Sequence, residues 1–360
     1  MSLAWPEPSG ERLSQISPSA YTALLRCPKR LAFQRDLRTK HWVAQSTRTA
    51  LGRVAHRLTE LVAQGTAPLP PDRREWLEAQ WEALVQQENL LIEGAWPNRQ
   101  VPAPRDWPGY VATRVRLLRR LADLPADREG PRVPGISRGS TGQPSLPWVE
   151  RYLEDMRTRL CGTPDRVERR DGRIRVVDLK SGVGQAGISD DQQRQLLIYA
   201  HLVLTAYGSL PNDVVIQDVR GREEKREVEG KEVQRVVAQA NEAIDSFNQM
   251  LDDGSVDARP GPEACQWCPF RVVCDDYWES RDDAWPRLDV RGVVTERTGQ
   301  HSVRLDLASG LPGSTTFRLL LTPGVKLLMG EEVVALDLER AGPSTGRMRW
   351  NSRLRRGAAD

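Results

Sequence analysis

Residues 161–182 read CGTPDRVERRDGRIRVVDLKSG, and the rest of the chain can be read outward from them. Asp171-Gly172 stands between two runs with strand character, Asp165 to Arg170 and Arg173 to Leu179. An Asp-Gly pair flanked in this way is the strongest short-range hairpin signal a sequence carries. With those two residues as the whole loop, Arg170 faces Arg173, every further pair keeps the same sum of residue numbers, and Asp165 falls opposite Asp178. Side chains alternate along a strand, so Asp178 shares a face with Ile174, Val176 and Lys180, and Asp165 shares its face with Thr163 and Val167. One side of the hairpin then carries an apolar patch that ends in two facing carboxylates with a lysine beside them. Like charges about 5 Å apart destabilise a sheet, the more so when buried, so something positive belongs between them. A hard divalent cation, Mg²⁺ or Mn²⁺, suits that place better than Lys180 alone. The lysine is then free to stabilise an attacking hydroxide or charge building on a phosphate. D-x-K is common by chance, and a solvated ion pair on a surface hairpin is the other reading of the same residues.

Downstream, Ser189-Asp190-Asp191-Gln192 is a capping box that opens a helix through Leu196, Leu197, Ala200 and Leu204. Gln195 and Tyr199 stand four apart and project from one face of it. Upstream, residues 51–62 form a helix with Leu51, Val54, Ala55, Leu58, Leu61 and Val62 as its apolar stripe, stopped by Gly65. Gly52, His56 and Glu60 follow along an adjacent strip. His56 can offer a ring nitrogen to a metal, although a lone helical histidine is more often packed or solvated.

Four short motifs now stand in order: G-x-x-x-H (Gly52, His56), G-x-P-D (Gly162, Pro164, Asp165), D-x-K (Asp178, Lys180) and Q-x-x-x-Y (Gln195, Tyr199). Each is weak singly, and together they resemble the RecB-type branch of the PD-(D/E)XK nuclease superfamily. The resemblance covers residues 15 to about 280. It implies a restriction-endonuclease-like α/β core, a short mixed sheet flanked by helices. It also implies that His56, Asp165, Asp178 and the Leu179 backbone carbonyl hold Mg²⁺ or Mn²⁺, that Lys180 assists the attacking water, and that Gln195 and Tyr199 position the scissile phosphate.

The chain has 360 residues, 39% of them hydrophobic, which is enough for one large domain and a small one. A net charge of +3 is far from the strongly basic balance that marks a nucleic-acid binder by bulk charge, so any such footprint must be local. No apolar run approaches a membrane span, and Met1 to Gly10 lacks the features of a signal peptide, so a cytoplasmic protein without membrane contact is expected. No G-x-x-x-x-G-K-[ST] run is present, so any motor must be a separate chain.

Ser17-Pro18 reads as the start of a helix over Ala20 to Arg26, and Pro28 resets it. Arg26, Lys29, Arg30, Arg35, Arg38 and Lys40 give this opening a basic face, either solvated or turned to phosphates. Residues 66–72 are a linker before a helix through Trp76, Leu77, Trp81 and Leu84. A further helix from Gly109 to Leu124 turns Val111, Val115, Leu118 and Leu121 inward and Arg114, Arg116, Arg119 and Arg120 mostly outward. These helices, within residues 66–147, read as an insertion that walls a substrate channel or simply packs. Residues 125–147 read as a loop. Trp148 to Leu160 supplies the first strands, Val214 to Val219 and Lys225 to Val228 a strand pair turning near Gly221, and Lys231 to Met250 a long amphipathic helix.

Five cysteines occur, of which Cys265, Cys268 and Cys274 have the tight spacing of soft-metal ligands in a loop-like context. Cys27, in Arg-Cys-Pro, is the best fourth, while Cys161 suits packing. Four thiolates serve zinc or a 4Fe-4S cluster, and spacing leaves both open. The nuclease resemblance favours the cluster, since one cysteine ahead of the histidine motif and three after the core look like the iron-sulfur staple of AddB-type and CRISPR-associated RecB-like nucleases.

From Arg287 the texture changes to short strands: Leu288 to Glu296, Ser302 to Leu307, Thr315 to Leu321, Glu332 to Leu338 and Arg347 to Trp350. The division expected is a nuclease domain over 1–284 and a small β-barrel, OB-like, over 285–360. With only Phe317 and Trp350 as aromatics in its strands, this part binds a single strand or serves packing alone. Arg347, Arg349, Arg353, Arg355 and Arg356 read as a basic tail, tracking a phosphate backbone or simply ending the chain. The function expected is metal-dependent hydrolysis of DNA that is single-stranded or has free ends, by an exonuclease or end-processing enzyme of repair, recombination or defence. The alternative is a DNA-binding scaffold subunit, weakly active or inactive, beside a separate helicase or repair subunit.

Overall fold

The computed structural model describes residues 8, 11–43, 46–63, 65–69, 71–95, 100–123, 145–180, 187–218, 220–282, 285–311 and 313–356, without the side chains of 40–42 and 63. Helices α1 (Pro18–Arg26) and α2 (Pro28–Arg35) lead through a 3₁₀ turn (Leu37–Trp42) to α3 (Thr47–Ala63), α4 (Arg73–Ala95) and α5 (Tyr110–Ala122). Strands β1 (Trp148–Val149), β2 (Leu153–Asp155), β3 (Leu160–Gly162), β4 (Arg166–Arg170) and β5 (Arg173–Lys180) follow, then α6 (Asp190–Tyr207), β6 (Asp213–Asp218), β7 (Glu223–Glu227) and α7 (Gly230–Asp252). The cysteine segment holds α8 (Pro262–Cys265), a 3₁₀ turn (Pro269–Val272) and α9 (Asp275–Ser280). The chain closes with β8 (Val290–Gly299), β9 (Ser302–Ser309), β10 (Thr316–Leu320), β11 (Glu332–Leu336), β12 (Glu339–Gly342), β13 (Thr345–Arg347) and β14 (Arg353–Arg356).

The β4–β5 hairpin forms with the register expected from its turn. Arg170 pairs with Arg173, and the ladder runs to Arg166 opposite Val177. Asp171 and Gly172 have φ of 50° and 76°, the two left-handed positions of a type I′ turn. β1 adds antiparallel to β4, β6 parallel to β5, and β7 antiparallel to β6, giving the order β1-β4-β5-β6-β7. The parallel step needs a crossover, and α6 supplies it. This is a mixed α/β core of the expected kind.

Both faces of β5 are buried, which exceeds the one apolar face expected. On one face Ile174, Val176, Val167 and Val214 pack under α1, α6 and α7 around Leu197, Ala200, Ile244 and Phe247. The other face is polar: Arg175, 6% exposed, pairs with Glu223 at 2.5 Å, and Gln217 donates to Glu223 at 2.9 Å. Arg120 of α5 reaches across to the Asp218 carbonyl at 3.1 Å and to Gln217. These ion pairs stand beside the fully buried Val177 and Val215 on that face.

Helices α3, α4 and α5 share their own core of Leu51, Val54, Leu58, Leu77, Trp81, Val85 and Leu118. In α5 the expected inward face is corrected: Val111 and Val115 are 65% and 55% exposed, while Tyr110, Leu117, Leu118 and Leu121 are buried. The aromatic ring sets the stripe, because Tyr110 stacks edge-on against Trp81, its hydroxyl accepting from the indole at 3.1 Å. Residues 124–144, covering the end of the expected Gly109–Leu124 helix and most of the 125–147 loop, lie outside the described residues, as do most of residues 1–10. No helix among the described residues is long and apolar enough to cross a membrane.

The carboxyl-terminal strands correct the barrel that was expected. Seven strands lie in the order β12-β13-β10-β9-β8-β11-β14, so the sheet has two edges and is not closed. Three bulges between β8 and β9 coil it around Leu305, Phe317, Leu319 and Val333. The basic tail is corrected too. Arg353–Arg356 is strand β14, antiparallel to β11, with Arg353 donating to the Pro269 carbonyl at 3.2 Å and Arg355 to that of Val272 at 3.3 Å. These contacts dock β14, an end strand of the sheet, against the cysteine segment.

Candidate active site

Asp165 follows Pro164 just ahead of β4, and Asp178 lies in β5, 4% exposed. The register that pairs Arg166 with Val177 sets these two carboxylates across from each other. β1 extends the row. Val149 pairs with Arg166, so Glu150 falls across from Asp165, and the Glu150 N–H donates to the Asp165 carbonyl at 3.1 Å. Glu150 has a φ of 47°, a left-handed turn that ends the strand after two residues. Three acids, Glu150, Asp165 and Asp178, therefore stand in one row over three neighbouring strands.

His56 of α3 faces this row. Its Nδ1 lies 3.7 Å from Asp165 Oδ1 and 3.9 Å from Glu150 Oε1. Ligand atoms of His56, Glu150 and Asp165 all fall within 4.8 Å of one another. Asp178 holds the other flank, with Oδ1 accepting from Gln195 Nε2 at 3.2 Å and Oδ2 2.6 Å from Lys180 Nζ. That lysine contact is an ion pair without hydrogen-bond alignment, and Asp178 Oδ2 is buried with no hydrogen-bond donor. The Leu179 N–H donates to Asp165 Oδ2.

The electrostatics are those of crowded negative charge. Burial, and then the nearby Asp178, push the Asp165 carboxyl up to about 6, against the opposing pull of His56 and the Leu179 N–H. The nearby Glu150 carboxylate raises the His56 imidazole, and Asp165 and Asp178 add to it against burial. A buried carboxylate oxygen lacking a donor and a close set of oxygen and imidazole donors fit a hard divalent cation.

Helix α6 begins as expected: Ser189 accepts from the Gln192 N–H while Gln192 caps the Ser189 N–H. Gln195 and Tyr199 then fall on the face turned to the acids. Burial raises the Tyr199 hydroxyl, with Asp165, Asp178 and Glu150 adding to it against the neighbouring Gln195, so it stays a neutral phenol. Gly162 accommodates that ring. A Cβ there would sit 2.9 Å from Tyr199 Cε1 and 3.2 Å from Pro18 Cδ.

Cys27, Cys265, Cys268 and Cys274 line one pocket with Lys29, Arg30 and Arg271. Three of them are N-caps: Cys27 of α2, Cys268 of the Pro269–Val272 turn and Cys274 of α9. Proline at the first position of two of these turns fixes the chain where the cysteine must face inward. The Cys27 sulfur accepts from the Arg259 N–H at 3.5 Å, closing a loop of more than two hundred residues. Burial raises the thiols of Cys265, Cys268 and Cys274. Among the described residues, no three cysteine sulfurs lie within 4.8 Å of one another. Cys161 is apart, in β3 opposite Glu154.

The basic opening is largely spent on internal contacts. Arg26 pairs with Asp191, Lys29 with Asp276 at 2.7 Å, and Arg38 with Asp36 at 2.5 Å. Glu150 is the residue that sequence reasoning missed, because its place in the row exists only once the register of β1 is known.

A family model of the PD-(D/E)XK nuclease superfamily matches residues 15–275. A search of curated proteins finds no match.

Proposed function

The chain belongs to the PD-(D/E)XK nuclease superfamily, whose members are metal-dependent nucleases, and from that footing we propose that it hydrolyses DNA that is single-stranded or carries free ends, as an exonuclease or end-processing enzyme. The observation that carries this reading is the row Glu150, Asp165 and Asp178 with His56 on one flank and Lys180 on the other. We take residues 1–284 as the catalytic unit and 285–360 as an accessory one, working in the cytoplasm in repair, recombination or defence, with a separate helicase or repair subunit supplying any motor.

His56, Asp165, Asp178 and the Leu179 carbonyl would hold the cation, with Glu150 as a further ligand or as the acceptor of a water. When bound, Mg²⁺ or Mn²⁺ supplies Lewis-acid polarisation of the phosphate and a lowered water pKa. Holding a cation would require Asp165 ionised and His56 neutral, so binding would be linked to proton release. Lys180, 2.6 Å from Asp178 Oδ2, stabilises negative charge developing on the phosphate. Gln195 and Tyr199 are neutral donors, suited to orienting a phosphate oxygen without adding charge. Burial among these groups limits bulk water and strengthens each interaction.

The cysteine pocket is read as the seat of a 4Fe-4S cluster with zinc as the alternative. Four cysteines around one pocket serve either group. N–H groups at three helix starts, with Lys29, Arg30 and Arg271, would offset the charge of four thiolates.

Labelled single- and double-stranded oligonucleotides incubated with Mg²⁺ or Mn²⁺ test the reading. Cleavage by the wild type that falls at least ~10²-fold in Lys180→Ala is expected. Binding without cleavage by the wild type would support the scaffold instead. Iron and sulfide, or zinc, measured in anaerobically purified protein decides the cysteine site.

A further inference from the structure

The seam where the cysteine segment meets the carboxyl-terminal sheet is rich in buried aromatics. Phe270, Tyr277 and Trp278 are 0%, 2% and 7% exposed. Trp267, two residues after Cys265 and directly before Cys268, breaks that pattern with 68% exposure. Among the described side chains it is the one tryptophan that is largely exposed. Its ring is not loose on the surface, because the Arg287 guanidinium lies over it at 4.0 Å from the centroid. Arg287 in turn is fixed by Asp337, with Nη1 3.5 Å from Oδ1. The indole thus carries a cation on one face while most of its surface meets water.

We propose that Trp267, backed by Arg287, is a stacking site for an unpaired base of a single-stranded polynucleotide. The inference rests on the nuclease reading and adds a substrate contact outside the catalytic row. An indole offers a face to any base, and a guanidinium beside it adds attraction for the adjoining phosphate. A base within a duplex already has both faces covered by its neighbours, so the site selects unpaired strands. The cysteine segment that carries Trp267 is joined to α6 through α1 and α2: the Arg259 N–H meets Cys27, and Arg26 beside it pairs with Asp191.

The test uses the full chain in an Asp178→Ala background, where cleavage is off, at one fixed salt concentration. Oligonucleotides carrying 2-aminopurine at successive positions should show quenching at one position, as the probe stacks on the indole. Anisotropy with a labelled single strand should show Trp267→Leu weakened by roughly 5- to 150-fold and Trp267→Phe much less affected, the range expected for one stacked base. Trp267→Leu binding as tightly as the parent, or no quenching at any position, overturns the proposal, and the exposed indole then belongs to a protein contact. Failure of the nuclease reading would appear elsewhere, as an absence of metal-dependent cleavage by the wild type, while binding and quenching are read without any cleavage.

Discussion

Asp165 holds a proton up to about pH 6 because burial and the Asp178 carboxylate both disfavour its charge. The folded state therefore binds that proton more tightly than the unfolded chain, where an aspartate titrates near 3.9. Stability from this group is complete below about pH 4 and is lost as pH rises through 6. His56, also raised, adds stability that is present below about 6.5 and lost as pH rises through its higher folded value. Metal-free protein is thus expected to lose on the order of 3 kcal/mol between pH 4 and 7 from Asp165. Thermal melts across that range with chelator present check it. The Asp165→Asn variant should show a flatter profile, and equal slopes in the two proteins would contradict the assignment. A bound divalent cation reverses the preference, since it needs the carboxylate ionised.

At the scale of elements, the hairpin was legible because an Asp-Gly loop leaves only one register, and residue sums then carried Asp165 to Asp178. The capping box of α6 was equally plain, as its signal is local. Glu150 was not legible, since β1 has two residues, too few for a period, and gains its register from β4 alone. Strand β14 was hidden in an arginine-rich tail, because what makes it a strand is β11 beside it and carbonyls of the cysteine segment below. The misjudged face of α5 has the same origin, a Tyr110–Trp81 contact between distant helices. Gly162 shows how elements meet: α6 and α1 approach β3 so closely that a methyl group there would press on Tyr199 and Pro18. Gly162→Ala should cost about 1–3 kcal/mol and displace the phenol. Urea denaturation with cleavage kinetics checks this, and an unchanged midpoint would show that the ring moves aside freely.

Over the whole molecule, the cysteine segment lies between α2 and the carboxyl-terminal sheet. Phe33, Cys265, Cys268, Phe270, Val334 and Leu336 share one core there. Arg271, 1% exposed, locks the seam by donating to Asp289 at 3.0 Å, to Asp337 at 2.7 Å and to the Cys265 carbonyl at 2.8 Å. Tyr277 adds a hydrogen bond to Asp289 at 2.6 Å. Removing one member of a buried ion network leaves the others uncompensated, so Arg271→Ala should cost about 3–5 kcal/mol. Limited proteolysis should then cut between α9 and β8 in the variant before the wild type. Resistance equal to that of the wild type would mean the sheet is held by its apolar contacts alone.

The central claim is that the row of acids and His56 exists to hold a divalent cation, and titration of Mn²⁺ into the metal-free protein by calorimetry tests it most directly. The wild type is expected to bind Mn²⁺ with release of protons near pH 6, and Asp178→Asn and Glu150→Gln to bind it at least ~10-fold more weakly. Equal binding by the wild type and both variants, or no binding by the wild type at all, would contradict the account.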